Sequence, residues 1–150
     1  MIASHYISVR TIRYQVKTMV QIPEKVLAKM AEQTTVKTLV TASADGMPHA
    51  IVCGSIIAPA ADKVVVGEVL MKRASANLQA NPKAAILVAA GMESYEIVLA
   101  NPVRITEGPM LDQMNENLAK IHLQARALWA FDVAEVYDEG ATPAAGSKIA

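Results

Sequence analysis

The sequence predicts a mainly β protein of the α+β class, in which antiparallel strands close into a small barrel with helices at its gaps. Two observations lead to this prediction. Six short apolar runs rich in β-forming residues are separated by turn signals, and three helical stretches lie between or before them. The chain of 150 residues is one domain by length, and its 53% hydrophobic residues are enough for a sizeable core.

The strands follow one another from Val36 onward. The first leads into Asp45-Gly46, a strong hairpin signal, and Pro48 makes that loop longer than the minimum. A turn at 59–62 separates the second strand from the third, and Asn101-Pro102 interrupts the fifth. We predict strands at residues 36–40, 50–57, 63–67, 83–90, 95–105 and 128–137.

The three helices begin or end at recognisable signals. Pro23 and Pro109 suit the first turns of the first and last helices, and the first helix ends near Thr34. A short helix begins near Lys72 and stops at Asn81-Pro82. The apolar stripes are Val26, Leu27, Met30 and Ala31 on the first helix, and Leu111, Met114, Leu118 and Ile121 on the last.

These elements place one domain at residues 19–138. Residues 1–18 contain His5, Arg10, Arg13 and Lys17 but no acid, and we interpret them as an N-terminal extension or added strand. Residues 139–150 are rich in Ala, Gly, Pro and Ser, which predicts a loose C-terminal tail.

Composition excludes several classes of function. Lys+Arg and Asp+Glu are both 14, so no overall positive field attracts nucleic acid. No apolar run approaches the ~20 residues of a membrane helix, and a mean hydropathy of +0.27 points instead to a subunit interface. The single cysteine, Cys53, excludes an intrachain disulfide and suits a reducing cytoplasm. The sequence contains one cysteine and three histidines, and their spacing does not match that of a metal site.

The pair Lys72-Arg73 stands where the third strand gives way to the short helix. A helix start presents unpaired N–H groups and a positive dipole end, so adjacent cations are unfavourable there unless an anion occupies the same place. Together with free amides, the pair and Ser75 in the first turn form a cradle for a phosphate. The alternative is a solvated basic pair at an ordinary helix start.

The order of several short motifs resembles a known family. The stretch "KRASANLQANP" (72–82) lies between the third and fourth strands, with "ADGMPH" (44–49), "ITEGP" (105–109) and "ARALWAFDV" (125–133) around it. This order is similar to the pyridoxamine 5′-phosphate oxidase-like FMN-binding split barrels, and most like the small FMN-binding proteins of sulfate-reducing bacteria. The resemblance spans residues 23–138. It implies an antiparallel split β-barrel of Greek-key type with flanking helices, bound FMN, and a homodimer with a flavin at each interface.

The resemblance also assigns expected roles to residues. It implies phosphate contacts from Lys72, Arg73, Ser75 and Asn77. The ribityl chain is expected against Glu68, Val69, Leu70 and Met71. Backbone groups of Val52, Cys53, Gly54 and Ser55 are expected at the edge of the isoalloxazine ring. The aromatic residue that covers the flavin in relatives falls near Gln124, with Trp129 as its substitute, and Ala74 replaces a phosphate-binding Lys or Thr.

Two functions follow from this resemblance. The first is an FMN-dependent oxidoreductase or electron-transfer protein, supplied with electrons by a redox partner protein or a nicotinamide nucleotide. The second is a non-catalytic dimeric barrel that binds haem, the deazaflavin F420 or nothing. The C-terminal stretch has no counterpart of the substrate-binding motif of true pyridoxamine phosphate oxidases, which argues against that substrate. Cys53 is interpreted as a buried structural thiol on the second strand.

Overall fold

The computed structural model describes residues 20–150, so the predicted extension at 1–18 lies outside the described residues. The described chain forms three helices and eight strands. The helices are α1 (Glu24–Ala31), α2 (Lys72–Ala80) and α3 (Pro109–Ala119). The strands are β1 (Val36–Ala42), β2 (Pro48–Val52), β3 (Ile56–Ala60), β4 (Lys63–Gly67), β5 (Ala84–Ala90), β6 (Glu93–Ile105), β7 (Leu128–Asp138) and β8 (Ser147–Lys148).

The strands form one antiparallel sheet in the order β2-β1-β5-β6-β7-β4-β3, with β8 added to β7. Strands β2 and β3 follow each other in sequence but lie at opposite ends of this order. A link of only three residues, 53–55, joins them, so the sheet must curl until its two ends meet. The predicted mainly β split barrel with flanking helices is therefore confirmed.

The predicted strand at 50–57 is wrong, because a turn at Gly54 and Ser55 divides it into β2 and β3. The backbone changes partner at this turn. The N–H of Cys53 donates to the carbonyl of Lys37 on β1 at 2.9 Å, whereas the carbonyl of Ser55 accepts from the N–H of Gly67 on β4 at 3.1 Å. Cys53 consequently lies in the link between strands and not in the middle of one.

Two further expectations from the sequence change. Asn101-Pro102 does not interrupt β6 but forms a bulge in it, where Asn101 has φ 53° and its amide donates to Asp132 at 2.9 Å. The C-terminal residues are held against the sheet, since β8 pairs with β7 and the N–H of Ile149 donates to Val136 at 2.8 Å. The tail is therefore more ordered than its composition suggests.

The buried side chains form two clusters on opposite faces of β4. Val64 and Val66 belong to the main cluster inside the barrel, and Val65 points to a smaller cluster under α3. The stripe predicted for α3 is buried there up to Leu118, but Ile121 lies beyond the end of the helix and is exposed. Strand β4 is thus covered on both faces, which fixes the position of the chain that follows it.

One lysine crosses the gap between the two halves of the sheet. The Nζ of Lys37 on β1 donates to the carbonyl of Ile56 on β3 at 2.9 Å and to that of Met30 on α1 at 3.3 Å. Desolvation by burial lowers the pKa of this ammonium from its ordinary value. Lys37 therefore ties β1, β3 and the C-terminal turn of α1 together.

We expect Gly67→Ala to destabilise the protein because Gly67 is the point where β4 touches the link. A Cβ at this position would lie 3.1 Å from the Cβ of Ser55, whose hydroxyl donates to the Gly67 carbonyl at 2.9 Å and is not free to move. The loss should be about 1–3 kcal/mol, measured by urea denaturation. Gly54→Ala is the matched control, since its Cβ would meet nothing within 4 Å; equal effects of the two substitutions would contradict the packing argument.

Candidate functional site

Residues 67–71, which connect β4 to α2, run between two cavities. Gly67, Val69, Leu70 and Met71 contribute to one cavity, whereas Glu68 contributes to the other. The chain bends at Val69 and Leu70, where the N–H of Val69 donates to the carbonyl of Gly67 at 3.1 Å, and only Glu68 of the five residues lines the second cavity. The five residues therefore position two separate candidate sites.

The first, which we call the apolar cavity, has a volume of about 220 Å³. Its walls come from the end of β2 with the link to β3, from the segment after β4, and from the region around the end of α3. The lining residues are Ile51, Val52, Cys53, Gly54, Ser55, Gly67, Val69, Leu70, Met71, Leu118, Ile121 and Leu123. Leu70 is 78% exposed, so the cavity opens to solvent across an apolar surface.

The apolar cavity brings together residues that the resemblance had assigned to two parts of one ligand. All four residues expected at the flavin ring, and three of the four expected along the ribityl chain, lie in its wall. Cys53 is among them, and burial raises the pKa of its thiol, which keeps the thiol neutral. The residues contributed by the end of α3 were missed, although the apolar stripe that reaches Ile121 was a signal for them.

The second, which we call the polar cavity, has a volume of about 320 Å³. It lies between α2, the end of β6 and the start of β7. Its lining residues are Glu68, Lys72, Ser75, Ala76, Gln79, Arg104 and Arg126. Three cations therefore face a single carboxylate in this cavity.

Glu68 is the centre of the polar cavity and is only 2% exposed. Its carboxylate accepts a hydrogen bond from the Nε of Arg104 at 2.8 Å, and an Nη of Arg126 lies 3.5 Å from its other oxygen. Its backbone is fixed as well, because its carbonyl accepts from the N–H of Arg126 at 3.0 Å and its N–H donates to Ala127 at 2.9 Å. These contacts hold the carboxylate and both guanidinium groups in one cluster.

The charge state of Glu68 follows from opposing effects. Desolvation by burial raises the pKa of the carboxyl. The hydrogen bond from Arg104, the nearby Ser75 hydroxyl and the two guanidinium charges lower it. The lowering effects are larger, so the pKa of Glu68 lies below its ordinary value. The same hydrogen bond raises the pKa of Arg104. Ser75 is itself buried, and its hydroxyl makes no hydrogen bond of normal geometry despite lying near Glu68.

The residues expected at a phosphate do not all meet. Lys72 and Ser75 line the polar cavity, whereas Arg73 is exposed at the start of α2 and lines neither cavity. The side-chain amide of Asn77 donates to the hydroxyl of Thr41 on β1 at 3.0 Å, which attaches α2 to the sheet. Asn77 therefore serves the fold in this structure.

Neither residue expected to cover a flavin lines these cavities. Gln124 is exposed after α3, and Trp129 is buried in the main core cluster, where its Nε1 has no hydrogen-bond partner. Trp129 stands on β7 opposite Val66 and Arg104, so its ring is held inside the barrel. Trp129 thus packs in the core and does not substitute for the expected aromatic residue within one chain.

Two arginines of the polar cavity were missed in the sequence. Arg104 and Arg126 lie 36 and 58 residues from Glu68, and only the fold brings them to it. Each arginine stands in an otherwise apolar stretch, "PVRI" or "ARALW", and a lone cation among apolar residues was the signal in the sequence for a buried or functional role.

Among residues 20–150, no group of three His, Cys, Asp or Glu side chains is placed to hold a metal ion. None of the three described helices is long and apolar enough to cross a membrane.

A family model for pyridoxamine 5′-phosphate oxidase matches residues 22–140, most of the chain. The chain belongs to this family. No curated protein matches the sequence closely. The pyridoxamine 5′-phosphate oxidase family match covers both cavities and every described strand except β8.

Solved structures with the same fold include an FMN-binding protein and a haem storage protein. HupZ from Group A Streptococcus has 16% identity and a TM-score of 0.70, over 83% of this chain and 99% of HupZ. An FMN-binding protein from Syntrophomonas wolfei has 13% identity and a TM-score of 0.64, over 71% of this chain and 78% of its own. HutZ, the haem storage protein of Vibrio cholerae, has 15% identity and a TM-score of 0.60, over 81% of this chain and 97% of HutZ. At such identities the likeness is one of fold alone.

We expect Glu68→Gln to destabilise the protein at neutral pH, because it removes the charge-assisted hydrogen bond to Arg104. The loss should be about 1.5 kcal/mol, the low end for a charged hydrogen bond, since Arg104 is partly exposed and solvent screens its charge. The effect should depend on pH. Since the folded-state pKa of Glu68 lies below the ordinary value of 4.5, its contribution is present above pH 4.5 and is lost as pH falls through the folded-state pKa.

Urea denaturation of wild type and Glu68→Gln between pH 7 and pH 3 measures this dependence. The difference in unfolding free energy between the two proteins should narrow below pH 4.5. Glu107→Gln, at an exposed carboxylate, is the control and should change stability by no more than about 0.5 kcal/mol. A difference that stays constant over this range would contradict an ionised Glu68 in the folded protein.

Proposed function

We propose that the protein is an FMN-binding flavoprotein that acts as an oxidoreductase or electron-transfer protein. The observation that carries this proposal is the apolar cavity, whose wall continues along residues 67–71 directly into the start of α2. A flavin ring requires an apolar slot with backbone groups at its edge, and its phosphate requires cations at the other end. The cavity and the helix start supply these two requirements in the correct order along the chain.

The start of α2 suits a phosphate. Two cations, Lys72 and Arg73, lie in the first turn, which contains no acidic residue, and the preceding Met71 supplies no side-chain cap. Neither cation forms an ion pair with another described residue. A phosphate dianion at this point would accept from the free N–H groups and neutralise both charges.

Each part of the site then has a stated role. The backbone of 52–55 and the side chains of Val69, Leu70 and Met71 would hold the ring and exclude water from one of its faces. Lys72 and Arg73 would hold the phosphate. FMN, when bound, supplies the hydride or one-electron chemistry. The described residues that line the apolar cavity include no acid–base pair.

The exposed apolar rim of this cavity favours a homodimer. Val52, Leu70 and Ile121 are large apolar side chains that stand exposed around it. Such a patch is typical of an interface between subunits. A second chain placed here would also cover the ring face that Trp129 does not reach.

The free, neutral thiol of Cys53 is compatible with the reducing cytoplasm, where we place the protein.

We expect Arg73→Ala to weaken FMN binding by roughly 1.5–3 kcal/mol, about one to two decades in affinity, because it removes a charge-assisted contact to the phosphate. Riboflavin has no phosphate, so its weaker binding should hardly change. Lys72→Ala should act in the same direction but less, because the Lys ammonium is a compact, well-hydrated charge. The measurement is a fluorescence titration of each variant with both flavins.

Lys83→Ala, at an exposed cation just before β5, is the control and should leave both affinities unchanged. Equal losses of FMN and riboflavin in Arg73→Ala would indicate damage to the fold. An unchanged FMN affinity in both Arg73→Ala and Lys72→Ala would overturn the assignment of the phosphate to this helix start.

The dimer is tested by sedimentation at micromolar concentration. We expect about twice the 16.0 kDa mass of one chain. Leu70→Glu would bury an unpaired charge in the interface and should give the single-chain mass. Met92→Glu, at an equally exposed apolar residue in the β5–β6 turn, should leave the dimer intact. A single-chain mass for the wild type would rule the dimer out.

One observation favours a second candidate, haem binding. His122 stands between Ile121 and Leu123, which both line the apolar cavity, and its φ of 60° sets it on a sharp turn after α3. Histidine is a suitable iron ligand, although the His122 side chain does not itself line the cavity, and HutZ is a haem storage protein of this fold. The absorption spectrum of the purified protein separates the two candidates: a flavin spectrum supports FMN, and a Soret band that His122→Ala removes supports haem.

A further inference from the structure

A third cavity, which we call the α1–β3 cavity, lies between α1, the start of β1 and β3. Its volume of about 470 Å³ is within the range of small-molecule sites. Two elements supply its aliphatic wall, α1 with Leu27, Met30 and Ala31, and β3 with Ile56, Ile57 and Ala58. The remaining lining residue is Lys37 on β1, the one polar side chain among the described residues of this wall. None of these residues lines the apolar or the polar cavity.

The position of Lys37 follows from the alternation of β1. Side chains two residues apart in a strand share a face, and Leu39 is fully buried in the main core cluster. Lys37 therefore continues, at the start of β1, the row of side chains that fills the barrel. Its Nζ donates to the carbonyls of Ile56 at 2.9 Å and Met30 at 3.3 Å. These two contacts hold the ammonium at the wall of the α1–β3 cavity.

The charge of Lys37 has no counter-ion among residues 20–150. Lys29 and Lys63, the other partly buried lysines of this part of the chain, each form an ion pair with a carboxylate. The two carbonyls that Lys37 contacts are neutral groups, so they leave its positive charge in place. Desolvation lowers the pKa of Lys37, and no described acid offsets this effect. Charges removed from water are normally paired, whereas this one lines a cavity unpaired.

We propose that the α1–β3 cavity binds an aliphatic monocarboxylate, with its carboxylate on Lys37 and its hydrocarbon chain against α1 and β3. An ammonium has three N–H donors, and backbone carbonyls take two of those of Lys37. The third is available for a ligand oxygen, since no other described residue accepts from it. A carboxylate at this point would supply the missing negative charge.

The described wall residues favour this class of ligand over others. They carry one positive charge and no second polar side chain, so a dianion such as phosphate would keep an unneutralised charge in the cavity. An uncharged hydrocarbon would leave Lys37 unpaired. The same residues include no aromatic ring to stack on a planar ligand, and their aliphatic side chains suit a flexible chain. Ala31 and Ile57 are exposed, so the ligand enters from solvent. A fatty acid of medium length meets these conditions.

Isothermal titration calorimetry with octanoate, hexanoate and 1-octanol separates the effect of charge from that of chain length. Lys37→Gln keeps an N–H donor and removes the charge. Its control is Lys83→Gln, at an exposed lysine that lines none of the three cavities. Ala31→Phe fills the α1–β3 cavity from an exposed position at the end of α1. Its control is Ala28→Phe, which is exposed on the same helix and lies outside the cavity wall.

We expect wild type to bind octanoate about tenfold or more tightly than 1-octanol, because only octanoate pairs with the ammonium. Hexanoate should bind roughly fifteenfold more weakly than octanoate, since each buried methylene contributes about fourfold in affinity. In Lys37→Gln the preference for octanoate over 1-octanol should disappear, with the affinity for 1-octanol unchanged. Ala31→Phe should weaken both ligands by about tenfold or more, and neither control should change either affinity.

Absence of saturable octanoate binding by wild type would overturn this site. Equal affinities of wild type for octanoate and 1-octanol would do the same, because Lys37 would then contribute nothing. Octanoate binding by Ala31→Phe that is as tight as that by Ala28→Phe would place the ligand in another cavity. This last comparison decides the question even where Lys37→Gln is too unstable to measure. The flavin titrations concern other residues, so the two proposals stand or fall separately.

Discussion

The architecture depends on one constraint, the three-residue link that joins opposite ends of a single sheet. Within residues 53–55 the backbone stops pairing with β1 and starts pairing with β4, through hydrogen bonds of 2.9 Å from Cys53 and 3.1 Å to Ser55. The curl of the sheet follows from this link, and so does the contact between the link and the end of β4 at Gly67. Because two of the three walls of the apolar cavity start at that contact, the barrel closure and the candidate flavin site have the same physical origin.

The segment after β4 lines two different cavities. Glu68 meets the arginines of the polar cavity, whereas Gly67, Val69, Leu70 and Met71 line the apolar cavity. Burying the carboxylate of Glu68 costs desolvation energy, which the contacts with Arg104 and Arg126 offset. A neutral residue in place of Glu68 would leave the guanidinium groups unoriented. The carboxylate therefore contacts both guanidinium groups on its side of the segment.

The local parts of the fold could be predicted from the sequence, and the non-local parts could not. The helix at 72–80 and strand β4 were predicted at their true bounds, because Gly67, Lys72 and Asn81-Pro82 are signals read within a few residues. The division of 50–57 was missed because Gly54-Ser55 resembles an irregularity in one strand until the pairing partners are known. Arg104 and Arg126 were missed for the same reason, since their partner Glu68 is distant in the chain. The residues expected at the flavin ring did come together, but the phosphate residues divided between the two faces of α2.

The absence of net charge makes these sites depend on local placement. With 14 basic and 14 acidic residues the protein has no long-range field to attract an anion. At physiological salt, interactions between exposed charges fade beyond about 8 Å, so only cations gathered in one place can select a phosphate. The chain gathers them at α2, whose first turn has two cations and no acid, and beside it at Arg104 and Arg126. The basic pair after strand β4 is thus one part of a larger local concentration of positive charge, in which Glu68 is the only carboxylate among the described residues that line the polar cavity.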